Sequence, residues 1–243
     1  MYKYLVSACC IFCGIKNLYA QEDWLSKYVI CYDGKAVIFP SSWLNKKIRA
    51  KATAADTSLF HRDTAGLAIA WTKVPEGVLE TEVDKVYIVG RLQFNGQLFT
   101  GTNSSDVIYI AGGDQMETER TFHHEFSSIL LRNHPDYEME MRWKKLSPAL
   151  LGGSSAYAVK TGYNSVKYDT ALMEKGYLAP YSLSNWENDF NMYAENIFCG
   201  GKDFWELLDK YPKALEKARL VIQFYKEKVW GGYSETFFRG LAN

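Results

Sequence analysis

The stretch RTFHHEFSS, residues 120–128, is the strongest indication of the fold in this sequence. In the pattern H-E-x-x-H, two histidines one helical turn apart bind zinc, and the glutamate between them activates a metal-bound water. His124 and Glu125 stand at the first two positions of the pattern, but Ser128 stands at the third. A neutral serine hydroxyl is a poor zinc ligand. The stretch therefore predicts a metal-site helix that lacks one histidine, with His124 as a ligand, Ser128 as a weak one and Glu125 as the catalytic base.

The neighbouring histidines do not restore the pattern. His123 cannot replace the missing ligand, because adjacent residues of a helix point about 100° apart. His134 lies ten residues beyond His124, where metzincins place a third histidine, but Leu131 stands where those enzymes need a glycine. We therefore interpret His134 as a coincidence and His123 as an accessory residue.

The residues around this stretch predict a helix at about 115–133. Asp114 stands at the N-cap, and Glu117 three residues later completes a capping box. Pro135 forces the end of the helix. The preceding run DVIYIA, residues 106–111, predicts a strand that leads into the helix.

The order of the predicted elements indicates an α+β fold, with a strand-rich N-terminal part, the active-site helix and a mostly helical C-terminal part. Asn95-Gly96 marks the clearest hairpin turn. The predicted strands are residues 28–31, 36–39, 67–72, 85–94, 97–100 and 106–111, and the later predicted helices are residues 170–175, 186–198, 203–211 and 212–230. With 47% hydrophobic residues, the chain of 243 residues can bury one core, so we expect a single domain at residues 21–243.

Residues 1–20, MYKYLVSACCIFCGIKNLYA, have the anatomy of a cleavable signal peptide. A basic start at Lys3 precedes an apolar run at residues 4–15, which is shorter than the about 20 residues of a membrane span. Lipidation at Cys9 is the less favoured alternative, because the residues after it stay apolar. We expect cleavage after Ala20, an extracytoplasmic (periplasmic or secreted) protein, and no membrane span in the mature chain.

Charge and cysteine content narrow the class of partner. Without residues 1–20 the chain keeps 26 basic and 28 acidic residues, a net charge near −2, so nucleic acid is not an expected partner. Two cysteines remain, Cys31 and Cys199. Export would permit them to pair, and two buried free thiols agree equally well with the sequence.

A second acidic helix, at residues 186–198, offers carboxylates that could complete a metal site. Its acidic residues are Glu187, Asp189 and Glu195. Glu195 lies 71 residues beyond His124, so only the tertiary fold can bring the two together. The alternative is a solvated helix face, where charged residues are usually found.

Three blocks of this sequence give it a family resemblance. They are TFHHEF at residues 121–126, ALMEKGY at 171–177, and DF with YAE within 189–195. In this order they resemble the zinc-binding metallopeptidases found as secreted proteins or lipoproteins. That family includes the substrate-import-associated zinc metallohydrolase lipoproteins encoded beside outer-membrane nutrient-uptake receptors. The resemblance covers about residues 87–198.

The resemblance implies a zincin fold with zinc as the cofactor and a peptide or protein as the substrate. It implies His124 as the first ligand, Glu125 as the general base and Glu195 as the acidic ligand. Asp189 would support the ligands from behind or replace one of them. Ser128 departs from the family, which usually carries its second histidine there. By the same resemblance, outer-membrane uptake machinery is an expected partner.

One hypothesis is an extracytoplasmic zinc-dependent metallopeptidase or metallohydrolase, associated with nutrient uptake. Its site would be completed by a water on Ser128 or by the carboxylate of Glu187 or Asp189. Glu125 would take the proton of the attacking water.

The other hypothesis is a catalytically inactive zincin-like module that has lost its second zinc histidine. Its cleft would bind a peptide, a glycan or a partner protein through His123, His124 and Glu125. The metal-site hypothesis requires the side chains of His124 and Glu195 to converge in space.

Overall fold

The computed structural model describes residues 24–147, 153 and 155–242. The predicted signal peptide lies outside the described residues, and the assignment of residues 21–243 to one domain stays a prediction. Among the described helices, none combines the length and the apolar character that a membrane span requires.

The strands form two small sheets. They are β1 (Val29–Cys31), β2 (Lys51–Ala52), β3 (Lys85–Val89), β4 (Leu92–Phe94), β5 (Gln97–Phe99), β6 (Gly101–Asn103) and β7 (Val107–Ala111). The larger sheet has the order β1-β3-β7-β6, in which β1, β3 and β7 are parallel and the edge strand β6 is antiparallel to β7. The smaller sheet has the order β2-β4-β5. Asn95 and Gly96 both have positive φ, as the predicted two-residue hairpin turn requires.

The helices follow mainly in the second half of the chain. They are α1 (Phe60–Thr72), α2 (Val78–Glu82), α3 (Gln115–Asn133), α4 (Tyr137–Leu146), α5 (Ser155–Thr161), α6 (Thr170–Met173), α7 (Trp186–Cys199), α8 (Gly201–Leu208), α9 (Pro212–Lys228) and α10 (Glu235–Gly240). Three short 3₁₀ helices lie at Ser41–Trp43, Thr57–Leu59 and Pro180–Leu183. The predicted α+β class is confirmed.

Helix α3 is the centre of the molecule, packed against α1 on one side and α7 on another, with β6 and β7 beside it. Its predicted capping box is present. The Asp114 carboxylate accepts a hydrogen bond from the Glu117 amide at 2.8 Å, and the Glu117 carboxylate accepts one from the Asp114 amide at 3.2 Å. Four apolar side chains of α3 are fully buried in the main core, and they are Phe122, Phe126, Ile129 and Leu130.

Two of the predicted strands are wrong. Residues 67–72 form the second half of α1, and residues 36–39 are not in a strand. In α1 the buried residues recur at helical spacing; they are Asp63, Thr64, Gly66, Leu67 and Ala70. The short run LAIAWT hides that period, because its partly buried positions Ala68, Ile69 and Trp71 are also apolar.

Gly66 marks the closest approach of α1 to α3. A Cβ atom at this position would lie 2.3 Å from the carbonyl oxygen of Gln115 and 2.8 Å from the amide nitrogen of Glu119. Both are backbone atoms of the capped end of α3, so they cannot move aside without shifting the helix.

We predict that Gly66→Ala lowers the free energy of unfolding by about 1–3 kcal/mol, because the added methyl group forces the two helices apart. Denaturant unfolding followed by circular dichroism measures this loss. Gly231→Ala is the matched control, since its Cβ would meet no atom within 4 Å; its effect should stay within about 0.5 kcal/mol. Equal effects of the two substitutions would contradict the predicted packing.

Candidate functional site

The packing of α3 against α7 brings His124 and Glu195 together. The Nδ1 atom of His124 lies 2.8 Å from Oε2 of Glu195, within hydrogen-bond distance. The other carboxylate oxygen, Oε1, accepts hydrogen bonds from the Arg120 guanidinium at 3.4 Å and from the Asn196 side-chain amide at 3.3 Å. The convergence that a metal site would need is therefore present in the structure.

The contact also assigns different roles to the two ring nitrogens of His124. A histidine that binds a metal through one nitrogen usually donates its other N–H to a carboxylate. Glu195 is at Nδ1, so Nε2 is the atom left for the cleft, and Glu195 orients the ring from behind. Both carboxylate oxygens of Glu195 therefore have hydrogen-bond partners within the protein. Glu195 is better placed to orient the His124 ring than to bind a metal ion itself.

A neutral hydrogen-bonded cluster lies where the pattern H-E-x-x-H has its second histidine. Asn191 of α7 donates its side-chain N–H to the Ser128 hydroxyl at 2.7 Å. Its side-chain oxygen accepts a hydrogen bond from the Ser127 hydroxyl at 2.5 Å. All three side chains are buried. The polar atoms at this position therefore satisfy one another without a charge.

Glu125 is held on the other side of the cleft by β6. The Asn103 side chain donates to Oε2 of Glu125, and the Arg132 guanidinium donates in turn to the Asn103 side-chain oxygen. Burial raises the pKa of Glu125 above its ordinary value, although His124, Asn103 and Arg132 act to lower it. The carboxylate is thus held in place by hydrogen bonds, and burial favours its protonated form more than solvent would.

Burial acts to lower the pKa of His124. The hydrogen bond and charge of Glu195, together with the charges of Glu125 and Glu187, outweigh that effect. The pKa of His124 is therefore raised, and the imidazolium form is favoured beside these carboxylates.

These residues line a cleft of about 370 Å³. Its polar floor is formed by His124, Glu125, Ser128, Asn191 and Asn103, and its aromatic wall by Trp43, Phe94 and Phe99. At the mouth, Glu187 lies 3.8 Å from the Arg132 guanidinium, and both side chains are 42% exposed. The cleft thus combines a titratable floor, an apolar wall and a charged rim.

The fold is similar to that in the crystal structure of "a putative zinc-binding metallo-peptidase from Bacteroides caccae ATCC 43185". The two share 15% sequence identity with a TM-score of 0.56, over 93% of this chain and 91% of that one. No protein-family model and no curated protein sequence matches the chain. The chain has a metallopeptidase-like fold.

The predicted accessory residues Asp189 and His123 lie elsewhere, and so does His134, which was not predicted to belong to the site. Asp189 is fully buried against Lys217, and it accepts a hydrogen bond from the Trp143 indole at 2.9 Å. His134 lies 2.8 Å from Glu82, away from the cleft. His123 is completely buried on a different face of α3. The structure therefore brings none of these three side chains to His124.

Two residues that form the cleft were missed by sequence reasoning. Asn191 and Asn103 are amides, which carry no metal or catalytic signature of their own. One signal was available for Asn191, because it precedes Glu195 by one helical turn and so shares its helix face.

The residues at His124 do not fit a catalytic zinc ion. Such an ion needs about three protein ligands, and here one imidazole nitrogen stands beside the neutral Ser128 and Asn191. Among the described residues, three side chains are close enough to hold a metal ion together, and they are Glu119, His123 and Cys199. One ligand atom from each lies within 4.8 Å of the other two. That set lies away from the cleft.

We predict that Glu195→Gln lowers the pKa of His124, because the variant removes the charge that opposes burial. An NMR titration of the histidine resonances measures the pKa of His124 in the two proteins. Folding raises the pKa of His124, so the associated stability is fully present below the unfolded value of about 6.5 and is lost as the pH rises through the folded value. The loss of stability in Glu195→Gln should therefore be larger at about pH 6 than at about pH 9.

Each unit by which the pKa of His124 falls corresponds to about 1.4 kcal/mol. Glu216→Gln, on an exposed position of α9, serves as the control and should leave the titration unchanged. An unchanged titration in Glu195→Gln would show that Glu195 does not govern the ring.

Proposed function

We propose that this chain is a zincin-like protein that binds an extended peptide in its cleft and does not hydrolyse it through zinc. The hydrogen bond between Asn191 and Ser128 carries the proposal, since it places a neutral, self-satisfied pair where metal ligands would be needed. Glu125 and His124 then act as hydrogen-bonding groups on the floor of the cleft.

A peptide is the favoured ligand because the edge strand β6 borders the cleft. On either side of β6, the Thr100 carbonyl accepts a backbone hydrogen bond from Ala111 of β7, and the Ser104 amide donates one to the Val107 carbonyl. Bonded positions alternate along an antiparallel strand, so the N–H and C=O groups of Gly101 and Asn103 point away from β7. An added peptide strand can pair with such an edge through its main chain.

Gly101 places this edge directly beside the polar floor. A Cβ atom there would lie 2.4 Å from the Thr121 side chain and 2.8 Å from Oε1 of Glu125. A peptide paired with β6 would therefore pass the Glu125 carboxylate and His124. Its alternate side chains would face the aromatic wall of Trp43 and Phe94, which favours apolar residues at those positions.

A zinc-dependent metallopeptidase or metallohydrolase is the second candidate. The observation that favours it is the Glu195 carboxylate at Nδ1 of His124, with Glu125 adjacent, since metal-bound histidines have such a partner. The solved protein of similar fold, described as zinc-binding, agrees with it. In that function Glu125 would serve as the general base.

One experiment separates the two candidates. Residues 21–243 are screened against a library of displayed peptides, and the affinity of a selected peptide is measured by fluorescence polarisation with EDTA or with added zinc. We expect binding in both conditions and an intact peptide by mass spectrometry. Methylation of alternate peptide amides should weaken binding at least about tenfold in one register and not in the other, because only one set of amides faces β6.

Trp43→Ala should weaken binding of the same peptide by a comparable factor, since it removes part of the aromatic wall. Val37→Ala is the matched control, because Val37 is 79% exposed and does not line the cleft. Zinc-dependent cleavage of the peptide that Glu125→Gln abolishes would instead establish the second candidate.

We also propose that the protein acts outside the cytoplasm, where a peptide ligand would be met in nutrient uptake. The signal-like segment 1–20 and the family resemblance support this role. After expression in a bacterial host, we expect the chain in the periplasmic fraction with Gln21 at its N-terminus, by intact mass. A lipid-modified Cys9, or a full-length chain in the cytoplasm, would contradict cleavage after Ala20.

A further inference from the structure

The side of α3 turned away from the cleft carries a second set of metal-ligating side chains. Glu119 and His123 lie one helical turn apart on α3, and Cys199 is the last residue of α7. One ligand atom from each lies within 4.8 Å of the other two. The distance from Nε2 of His123 to Oε1 of Glu119 is 3.8 Å.

His123 is the residue here that most needs an explanation. Its side chain is 0% exposed, and both ring nitrogens are buried without a hydrogen-bond partner among the described residues. The ring stacks on Phe198 with a centroid distance of 4.0 Å and an interplanar angle of 2°. A buried imidazole without partners is costly, and native structures rarely keep one without a bound group.

A cationic group, the Lys73 ammonium, already lies in the surroundings of this imidazole. The Lys73 ammonium contacts Oε1 of Glu119 at 2.5 Å and the carbonyl oxygen of Phe198 at 2.8 Å. Lys73 also acts electrostatically on His123 and Cys199. An ion in place of this ammonium would have the Glu119 carboxylate, the His123 imidazole and the Cys199 thiol around it, with the Phe198 carbonyl as a fourth group.

Nitrogen, sulfur and carboxylate oxygen together are the donors of zinc sites. Burial lowers the pKa of His123 well below its ordinary value, so the ring is neutral and able to bind a metal. Burial raises the pKa of the Cys199 thiol, but a thiol that coordinates a divalent ion loses its proton. With a neutral imidazole, one thiolate and one carboxylate balance the charge of a divalent ion.

We propose that Glu119, His123 and Cys199 form a buried structural site for a thiophilic divalent ion such as zinc, which competes with the Lys73 ammonium for Glu119. The ion would join the first half of α3 to the end of α7. The site is closed to substrate, so its role is stabilising and does not depend on what the cleft binds. Binding releases the thiol proton to solvent and frees the Lys73 side chain to move outward.

The test uses residues 21–243, stripped with a chelator and then titrated with Zn²⁺ or Co²⁺. We expect one equivalent of zinc in competition with a chromogenic chelator and a higher thermal midpoint at excess zinc. With Co²⁺ we expect the near-ultraviolet band of a thiolate ligand. Within residues 21–243, Cys31→Ala leaves Cys199 as the single thiol, so the band must persist in that variant.

Variants at the two adjacent histidines locate the ion. His123→Ala should weaken zinc binding at least about 100-fold and His124→Ala should leave it unchanged. Lys73→Met should bind zinc at least about tenfold more tightly, because it removes the competing ammonium. Failure of the stripped protein to bind zinc would overturn this site. Zinc binding that is lost in His124→Ala and kept in His123→Ala would overturn it as well.

Zinc binding that depends on His124 and not on His123 would also support the zinc-dependent candidate function. Peptide binding in EDTA is a separate measurement, and neither zinc result changes its outcome. The two proposals therefore fail separately. If the His123→Ala chain does not fold, as judged by circular dichroism, the cobalt band in Cys31→Ala decides the question alone: its presence supports the site, and its absence overturns it.

Discussion

The buried hydrogen bonds between α3 and α7 are the constraint on which the rest of the structure depends. Along this interface polar side chains meet in pairs: His124 with Glu195, Ser128 with Asn191, and Arg120 with the acid and amide at the end of α7. Inside a core each such group must find a partner, because an unsatisfied one costs about 1–3 kcal/mol. The helices can therefore pack in one register only. That register determines which side chains face the cleft and which face the interior.

Two adjacent histidines illustrate how strongly this packing controls chemistry. His124 faces carboxylates, and its pKa is raised above the ordinary value. His123, one residue earlier, faces Phe198 and the Lys73 ammonium, and its pKa is lowered well below that value. Burial acts to lower the pKa of both rings, so burial alone cannot account for the opposite directions. The angle of about 100° between successive helical residues separates the two environments.

Local signals in the sequence were sufficient for the parts of the fold that depend on local interactions. The capping box of Asp114 and the turn at Asn95-Gly96 are such parts, and they place α3 and the hairpin within a residue or two. The second half of α1 was mistaken for a strand because its amphipathic period is too short to read. The partners of His124 and Ser128 could not be predicted, since each lies more than 60 residues away and only packing brings it near.

The same reasoning explains how this fold can be stable with an incomplete metal pattern in its sequence. A histidine at the position of Ser128 would place a second imidazole in this buried layer, where each ring nitrogen needs a hydrogen-bond partner or an ion. A hydroxyl and an amide instead satisfy each other, so this layer of the core is stable without one. Replacing either residue alone would leave the other without its hydrogen-bond partner, so the two residues act as a single unit. Beside this unit lie the cleft and Glu125, and their arrangement, not the fold alone, must carry any argument about function.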